Sequence, residues 1–207
     1  TIMVSTLGTA AIATVGLTTQ PKYIGLAIFL SLNVAVSALV ARRKGQDDRE
    51  NANRVLVQSI MIVLILTIIV SIVCVAFADP IIRMAGSAED THEDAVAYFR
   101  IIMGGMFCNV MSLVINAAQR GAGNTKIALK TNLVPNGVNI IFNYLLIGGN
   151  LGFPKLGVSG AAIATVIGTV FAFGMSVYSV TRHKDRFLCL RVYHRLHFDR
   201  ATMGAIL

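Results

Sequence analysis

Four asparagines recur along one apolar stretch of the chain, at Asn132, Asn136, Asn139 and Asn143. Their spacings of 4, 3 and 4 residues place them within an arc of roughly 60° on a helix. The surrounding stretch, 127–147, is long enough to cross a bilayer. Each side-chain amide carries polar groups that hydrocarbon cannot satisfy, at a cost of several kcal/mol. The pattern therefore predicts that this face contacts protein or a water-filled cavity rather than lipid.

Two interpretations of this asparagine stripe imply different roles. Amide hydrogen bonds between helices would hold the fold together, at roughly 0.6–2 kcal/mol each. A cavity lining would instead offer amide oxygens to a cation or a polar substrate. Pro135 favours the cavity, because a proline at this position frees the backbone carbonyl oxygen of Thr131. We therefore predict a cavity lining, and keep helix-to-helix bonding as the alternative.

The preceding stretch carries a second polar stripe, formed by Asn109, Ser112, Asn116 and Gln119. At spacings of 3, 4 and 3 residues, these side chains fall within an arc of about 80° on one helix face. The two polar faces could line one chamber, or they could hydrogen-bond each other and leave no space. The sequence leaves both arrangements open.

A stripe of small residues marks the last apolar stretch, with one residue every four positions: Gly160, Ala164, Gly168, Ala172 and Ser176. Small side chains let two helix backbones approach closely in a membrane, so this stripe predicts tight packing against a neighbouring helix. Thr165 and Thr169 lie beside the stripe and could turn their hydroxyls to the cavity.

The composition of the chain indicates which kind of element carries these stripes. Hydrophobic residues make up 55% and charged residues 14% of the chain, against ~25% charged residues in soluble proteins. The apolar residues form blocks, so we predict an all-α membrane protein with five complete transmembrane helices, at about 10–40, 55–78, 95–118, 127–147 and 157–180.

Residues 1–4 and 201–207 are expected to be remnants of a first and a seventh span. Pro21 is expected to bend the first complete helix, and Pro135 to break the fourth. An acidic loop is predicted at 79–94 and a glycine-containing loop at 119–126.

The basic residues are concentrated in alternate connections. Residues 41–54, 119–130 and 181–200 hold five, three and six of the 18 lysines and arginines. The positive-inside rule places these segments in the cytoplasm, which accounts for the net charge of +8 without nucleic-acid binding. No metal site is predicted, because the three cysteines have no CxxC spacing and arginines interrupt the histidines of the tail.

No Asp or Glu lies in the middle of any predicted span. An intramembrane enzyme would need a nucleophile–base pair or paired acids at membrane depth, so we expect no catalytic activity. Asparagine does not titrate. A proton-driven mechanism would therefore need a carboxylate outside these segments.

Three segments resemble the multidrug and toxic compound extrusion (MATE) family of transporters: 42–48 (RRKGQDD), 119–126 (QRGAGNTK), and 139–162, which contains the run GFPKLGVSGAA. The last is the most specific, because it places a glycine–proline turn between two spans. The resemblance extends over nearly the whole chain. It implies a twelve-span transporter with two six-helix lobes, of which this chain is similar to the N-terminal one.

The resemblance also implies a domain layout and a site. Residues 1–180 would form the N-terminal transmembrane lobe, from the end of span one to span six. Residues 181–200 would form a basic cytoplasmic linker, and 201–207 would start span seven. In the family, polar residues of spans four to six line the cavity of this lobe, and Asn116, Asn139, Asn143 and Thr165 occupy the matching positions. The family's acidic residue in span one falls before Thr1, outside this sequence.

The resulting hypothesis is a secondary antiporter in the plasma or inner membrane. It would export cationic or amphipathic organic compounds, such as drugs and toxins, in exchange for protons or sodium. The expected partners are small organic cations, the lipid bilayer and the C-terminal lobe of the same intact chain, and no cofactor besides the coupling ion is expected. The alternative is a flippase for a lipid-linked oligosaccharide, from the same broad superfamily. It is disfavoured because a pyrophosphate group would need basic residues within the spans. A passive channel, which would conduct without saturation or counter-ion dependence, stays open.

Overall fold

The computed structural model describes residues 8–149, 152, 154, 156–181 and 187–189. The regular structure in that part of the chain is entirely helical: α1 (Thr9–Gly45), α2 (Arg49–Ala76), α3 (Ala78–Met84), α4 (Glu89–Gly104), α5 (Met106–Gly121), α6 (Thr125–Gly148) and α7 (Gly157–Thr181). The expected span remnants at 1–4 and 201–207 lie outside the described residues, as does most of the predicted linker at 181–200.

Three helices, α1, α2 and α7, are each long and apolar enough to cross a bilayer, and the bent pair α4–α5 would make a fourth span. Helix α6 is long enough, with 24 residues, but its asparagines keep its mean hydropathy below theirs. The all-helical membrane fold is thus confirmed. The predicted count of five complete spans depends on including the polar helix α6.

The main core lies between α1, α2, α4 and α5. The largest fully buried side chains there include Phe29 of α1, Leu56 of α2, Phe99 of α4 and Ile115 of α5. Helix α5 also contacts α6 and α7, so it forms the centre of the bundle. Helix α6 packs chiefly along α7 and stands at the edge, which leaves much of its surface exposed.

The predicted single span at 95–118 is wrong in one respect. Helices α4 and α5 meet at Gly105, with a bend of 46° between them. Val166 of α7 occupies the space in which a side chain at position 105 would stand, with its Cγ1 atom 2.8 Å from the expected Cβ position. On the other side, the Ser71 hydroxyl donates to the Met103 carbonyl oxygen at 2.8 Å. The bend is therefore supported by packing on α7 and by a hydrogen bond from α2.

Three further expectations about local structure need correction. The acidic segment 79–94 is mostly helical, since it contains α3 and the first turns of α4. The loop expected at 119–126 is shorter, because α5 continues to Gly121 and α6 begins at Thr125. Pro135 does not end the asparagine helix, which runs through it without interruption. Pro21 lies inside α1, which is continuous as expected for one long helix, and the bend at Pro21 stays a prediction.

The described parts of the three basic segments meet at one end of the bundle. Lys44, after the last apolar turns of α1, donates through Nζ to the carbonyl oxygen of Ala122 in the α5–α6 turn. At the start of α2, Asn53 contacts the segment that follows α7: its Nδ2 donates to Phe187 O at 3.1 Å, and its Oδ1 accepts from Cys189 N at 2.7 Å. The connections rich in lysine and arginine therefore lie at the same end of the bundle, as far as the structure describes them.

Candidate functional site

The four asparagines of α6 divide into two pairs. Asn132 and Asn136 are exposed, whereas Asn139 and Asn143 are half-buried against α7. The packed face of α6 is centred on Thr131 and Pro135, both of which are buried. The asparagine stripe flanks that face rather than coinciding with it. Only the second pair is in position to form a site within this chain.

Asn139 and Asn143 form a chain of hydrogen bonds that ends on α7. Asn143 donates through Nδ2 to Asn139 Oδ1 at 2.9 Å, and Asn139 donates through Nδ2 to Thr165 Oγ1 at 3.3 Å. Thr165 donates in turn to its own helix, at Ala161 O, 2.9 Å away. The Oδ1 atom of Asn143 is buried and has no hydrogen-bond partner among the described residues. The chain thus ends in an unused acceptor, which is costly unless a donor or cation visits it.

Glycines of α7 bring these groups together. A Cβ atom at Gly168 would lie 3.1 Å from Pro135 O and 3.2 Å from Asn139 Cβ. At Gly160 it would lie 2.6 Å from Leu146 O. Ala164, between the two glycines, is buried, and Ala172 is half-buried. The close approach of α6 and α7 at Gly168 is what allows the Asn139 amide to reach Thr165.

Asn116 has a different environment from the other predicted site residues. It is 1% exposed, and its Oδ1 accepts from Thr131 of α6 at 2.7 Å and from Ser176 of α7 at 3.3 Å. Nearby, Gln119 donates to Ser179 at 3.3 Å. These bonds join α5, α6 and α7, while Asn116 Nδ2 is buried without a hydrogen-bond partner among the described residues. Asn116 and Gln119, the last two residues of the second polar stripe, therefore form hydrogen bonds to neighbouring helices and do not line a chamber.

A small pocket opens between α1, the α4–α5 bend and α7. It has a volume of about 30 Å³, room for roughly two water molecules. Its polar lining residues are Lys22, Asn109, Thr165 and Thr169, and its apolar ones include Leu26, Met106 and Val166. Thr165 belongs both to this pocket and to the amide chain, so the two features adjoin at this residue, although most of the pocket lining is apolar.

Sequence reasoning pointed to Asn109, Thr165 and Thr169 as polar positions facing a cavity but missed Lys22. The available signal was a single lysine inside an otherwise apolar helix, 20 residues before Arg42. The pocket was missed as a whole because it depends on the bend at Gly105, which brings the α4–α5 junction beside α1 and α7. Among the described residues, no group of three or more His, Cys, Asp or Glu side chains is close enough to hold a metal ion.

Comparison with known proteins agrees with this architecture. Residues 1–145 match the model of the MatE family. The chain is 26% identical over 176 residues to a probable multidrug resistance protein NorM of Thermotoga maritima, covering 84% of this chain and 38% of that protein. It is 26% identical over 196 residues to a probable multidrug resistance protein YoeA of Bacillus subtilis, covering 95% of this chain and 40% of that protein. The chain thus spans about two fifths of the length of these relatives.

Solved structures show the same relationship. A multidrug resistance MATE family transporter in an inward-facing conformation superposes with a TM-score of 0.88 at 30% identity, over 99% of this chain and 46% of that one. A MOP superfamily transporter from Pyrococcus furiosus superposes equally well, at 30% identity over 99% of this chain and 44% of that one. A match of the family model over most of the chain, together with the helical membrane fold, shows that this chain belongs to the MATE family and forms part of a multi-pass membrane protein.

Proposed function

We propose that this chain is the N-terminal lobe of a secondary antiporter that exports cationic or amphipathic organic compounds in exchange for protons or sodium. In this proposal residues 1–180 form the lobe, 181–200 link it to a second lobe, and 201–207 start the seventh span. The multidrug resistance names of the relatives in Thermotoga and Bacillus support the substrate class. Their length, more than twice that of the matched region, supports a second lobe.

The observation that carries the proposal is the amide chain from Asn143 through Asn139 to Thr165. At one end of this chain, Asn143 Oδ1 is buried without a hydrogen-bond partner among the described residues. At the other end, Thr165 lines a pocket with room for water-sized groups. A neutral oxygen acceptor suits a sodium ion or the donor group of an organic substrate. Protons would need a titratable group elsewhere, since the described carboxylates all lie in turns or in the first two turns of helices.

The proposed mechanism couples the two ligands through α6. An ion bound at the asparagines would favour one arrangement of α6 around Pro135, where the backbone has lost a hydrogen bond. If that arrangement binds the organic substrate less tightly, ion binding shifts the population towards release. Rigid-body movement of the two lobes would then open the cavity to the other side.

Efflux measurements test the proposal in the intact transporter that contains this chain. Asn139→Leu and Asn143→Leu are expected to reduce ethidium efflux from cells at least tenfold and to weaken its dependence on the ion gradient. Leu133→Ala, at a position 66% exposed on the same helix, is the matched control and should retain efflux. Unchanged efflux and ion dependence in both asparagine variants would refute the role of the amide chain.

The orientation of the lobe is part of the proposal. The positive-inside rule places the end that carries Lys44, Ala122 and Cys189 in the cytoplasm. In a variant without native cysteines, a cysteine at Lys126 should react with a membrane-impermeant maleimide only after the cells are opened. A cysteine at Glu89, at the opposite end, should react in intact cells. The reverse pattern would show that the orientation is inverted.

A further inference from the structure

The side-chain amide of Asn116 in α5 uses only one of its two polar atoms. Its Oδ1 accepts from Thr131 of α6 at 2.7 Å and from Ser176 of α7 at 3.3 Å, whereas its Nδ2 is buried without a hydrogen-bond partner among the described residues. A separation of 2.7 Å is typical of a hydroxyl bonded to an oxygen rather than to a nitrogen, which supports this orientation of the amide. A buried donor without an acceptor is costly, so we expect Nδ2 to have a partner in another arrangement of the helices.

An acceptor without its usual donor lies on the residue that Asn116 already contacts. Pro135 has no backbone N–H, so the carbonyl oxygen of Thr131, four residues earlier, cannot form the usual helical hydrogen bond. Thr131 and Pro135 are both buried and, at this spacing, occupy the same face of α6. The carbonyl that Pro135 frees therefore belongs to the packed face of the helix, away from bulk water.

The proline lies where α6 is contacted from two sides. On one side, Asn116 of α5 bonds to Thr131, one turn before Pro135. On the other side, Gly168 of α7 lies so close that a Cβ atom there would be 3.1 Å from Pro135 O. If α6 changes its bend at Pro135 while Gly168 stays packed against it, the turn that carries Thr131 moves relative to α5. Such a movement changes which atom of Thr131 faces the Asn116 amide.

We infer that Asn116 is a positioning residue that exchanges hydrogen-bond partners when α6 changes its bend. In the arrangement of this structure, its Oδ1 accepts from the Thr131 hydroxyl. In the second arrangement, its Nδ2 donates to the Thr131 carbonyl oxygen that Pro135 leaves free. One amide can serve both arrangements because it carries an acceptor and two donors. This inference rests on the proposed function, because it names the residue that controls the movement of α6 in that mechanism.

The kinetic test combines Asn116→Leu with Pro135→Ala in the intact transporter. Alanine restores the backbone N–H at position 135, so the Thr131 carbonyl gains a donor in its own helix and no longer needs Asn116. Asn116→Leu should lower kcat for ethidium efflux about fivefold in the wild-type background but less than twofold in the Pro135→Ala background, with KM changed less than twofold in both. Ser176→Ala removes only a donor to Asn116 Oδ1, and this matched control should change kcat less than twofold in both backgrounds.

Distances between spin labels, measured by electron paramagnetic resonance on the purified transporter without native cysteines, report the bend independently of transport. One label at Ile68 of α2 is paired with a second on α6, either at Leu129, before Pro135, or at Ile141, after it; all three positions are exposed. The pair at Ile68 and Leu129 should give two distances, one of them matching this structure. Asn116→Leu should reduce the population of the other at least threefold, and the pair at Ile68 and Ile141 should be unchanged.

A single distance between Ile68 and Leu129 without Asn116→Leu, or equal effects of Asn116→Leu on kcat with and without Pro135→Ala, would overturn the inference. If the wild-type protein exports no ethidium but Asn116→Leu shifts the distances, the export proposal fails and the positioning role stands. If ethidium is exported and the distances do not respond, the positioning role is refuted and the export proposal stands. Elution as a single species in size-exclusion chromatography establishes that a variant is folded. Should Asn116→Leu not fold, Pro135→Ala alone decides, because it should remove the same second distance.

Discussion

Val166 of α7 packs directly against Gly105, at the bend between α4 and α5. A Cβ atom added to Gly105 would lie 2.8 Å from Val166 Cγ1 and 3.2 Å from its Cβ. Valine cannot move out of the way easily, because its branched side chain has one strongly preferred rotamer in a helix. The bend therefore depends on the absence of a side chain at position 105, and it creates one wall of the pocket.

Gly105→Ala is expected to destabilise the protein by about 1–2 kcal/mol, because overpacking outweighs the gain in helix propensity. The matched control is Gly104→Ala, one residue earlier, where a Cβ atom would meet nothing within 4 Å. That variant should be neutral or slightly more stable. Thermal unfolding of the purified proteins measures both effects.

The double variant Gly105→Ala with Val166→Ala tests the cause. Removing the two methyl groups of Val166 should recover most of the stability lost by Gly105→Ala, giving a clearly non-additive cycle. Additive losses would show that the contact between Val166 and position 105 is not the source of the destabilisation.

The bend shows where sequence reasoning stops. The apolar blocks predicted helices in the right places, because hydrophobic length and charge at the ends are local properties. The bend at Gly105 depends on Val166, more than sixty positions later in the chain, so no local pattern distinguishes Gly105 from Gly104. The acidic segment 79–94 was misjudged for a related reason: polar composition alone does not separate a loop from a short exposed helix such as α3.

The candidate site was predictable in part. Helix periodicity predicts that Asn139 and Asn143 share one face of α6 and that Gly168 lies in a stripe of small residues on α7. It does not predict which neighbouring helix the asparagine face contacts. Two of the four asparagines flank the α7 contact and two face outwards, because α6 lies at the edge of the bundle and, among the described helices, packs mainly on α7 and α5. Whether Asn116 lines a chamber or bonds to helices depended equally on tertiary contacts.

Asn116→Leu is expected to reduce stability by about 1–3 kcal/mol, because Ser176 loses its side-chain acceptor and Thr131 loses one of its partners in a buried site. Since Asn116 lies outside the pocket, dye affinity should change less than twofold. This pattern is opposite to that expected for Asn139→Leu. Unfolding temperatures and KM values measured on the same preparations check it, and a large KM change with normal stability would show that Asn116 lines the substrate path.

Asn53 is expected to hold the segment after α7 against the start of α2. Its side chain is 2% exposed and bonds to both Phe187 and Cys189. Asn53→Ala should therefore speed hydrogen exchange at the Cys189 amide at least tenfold, as followed by mass spectrometry. Asn51→Ala is the matched control, since the Asn51 side chain bonds only to Asp48 among the described residues. Equal exchange in the two variants would refute this attachment.

A pH dependence is expected at the opposite end of the bundle. His92 donates through Nε2 to Asp79 Oδ1 at 2.8 Å, while its Nδ1 accepts from Ser87 Oγ at 2.6 Å. The hydrogen bond from His92, with a smaller contribution from Arg83, lowers the pKa of Asp79 below its ordinary value. The ionised carboxylate is thus favoured more in the folded protein than in the unfolded chain.

Because the pKa of Asp79 is lower in the folded state, its contribution to stability is complete above the ordinary value of about 3.9 and is lost as the pH falls through the folded value. Asp79→Asn should therefore unfold at a lower temperature than wild type at pH 7, and the difference should shrink as the pH drops below about 4. Asp94→Asn, at an exposed position of α4, is the matched control and should show no such convergence. A constant difference between wild type and Asp79→Asn at every pH would mean that the charge of Asp79 does not contribute, because only the ionised form is stabilised by His92 and Arg83.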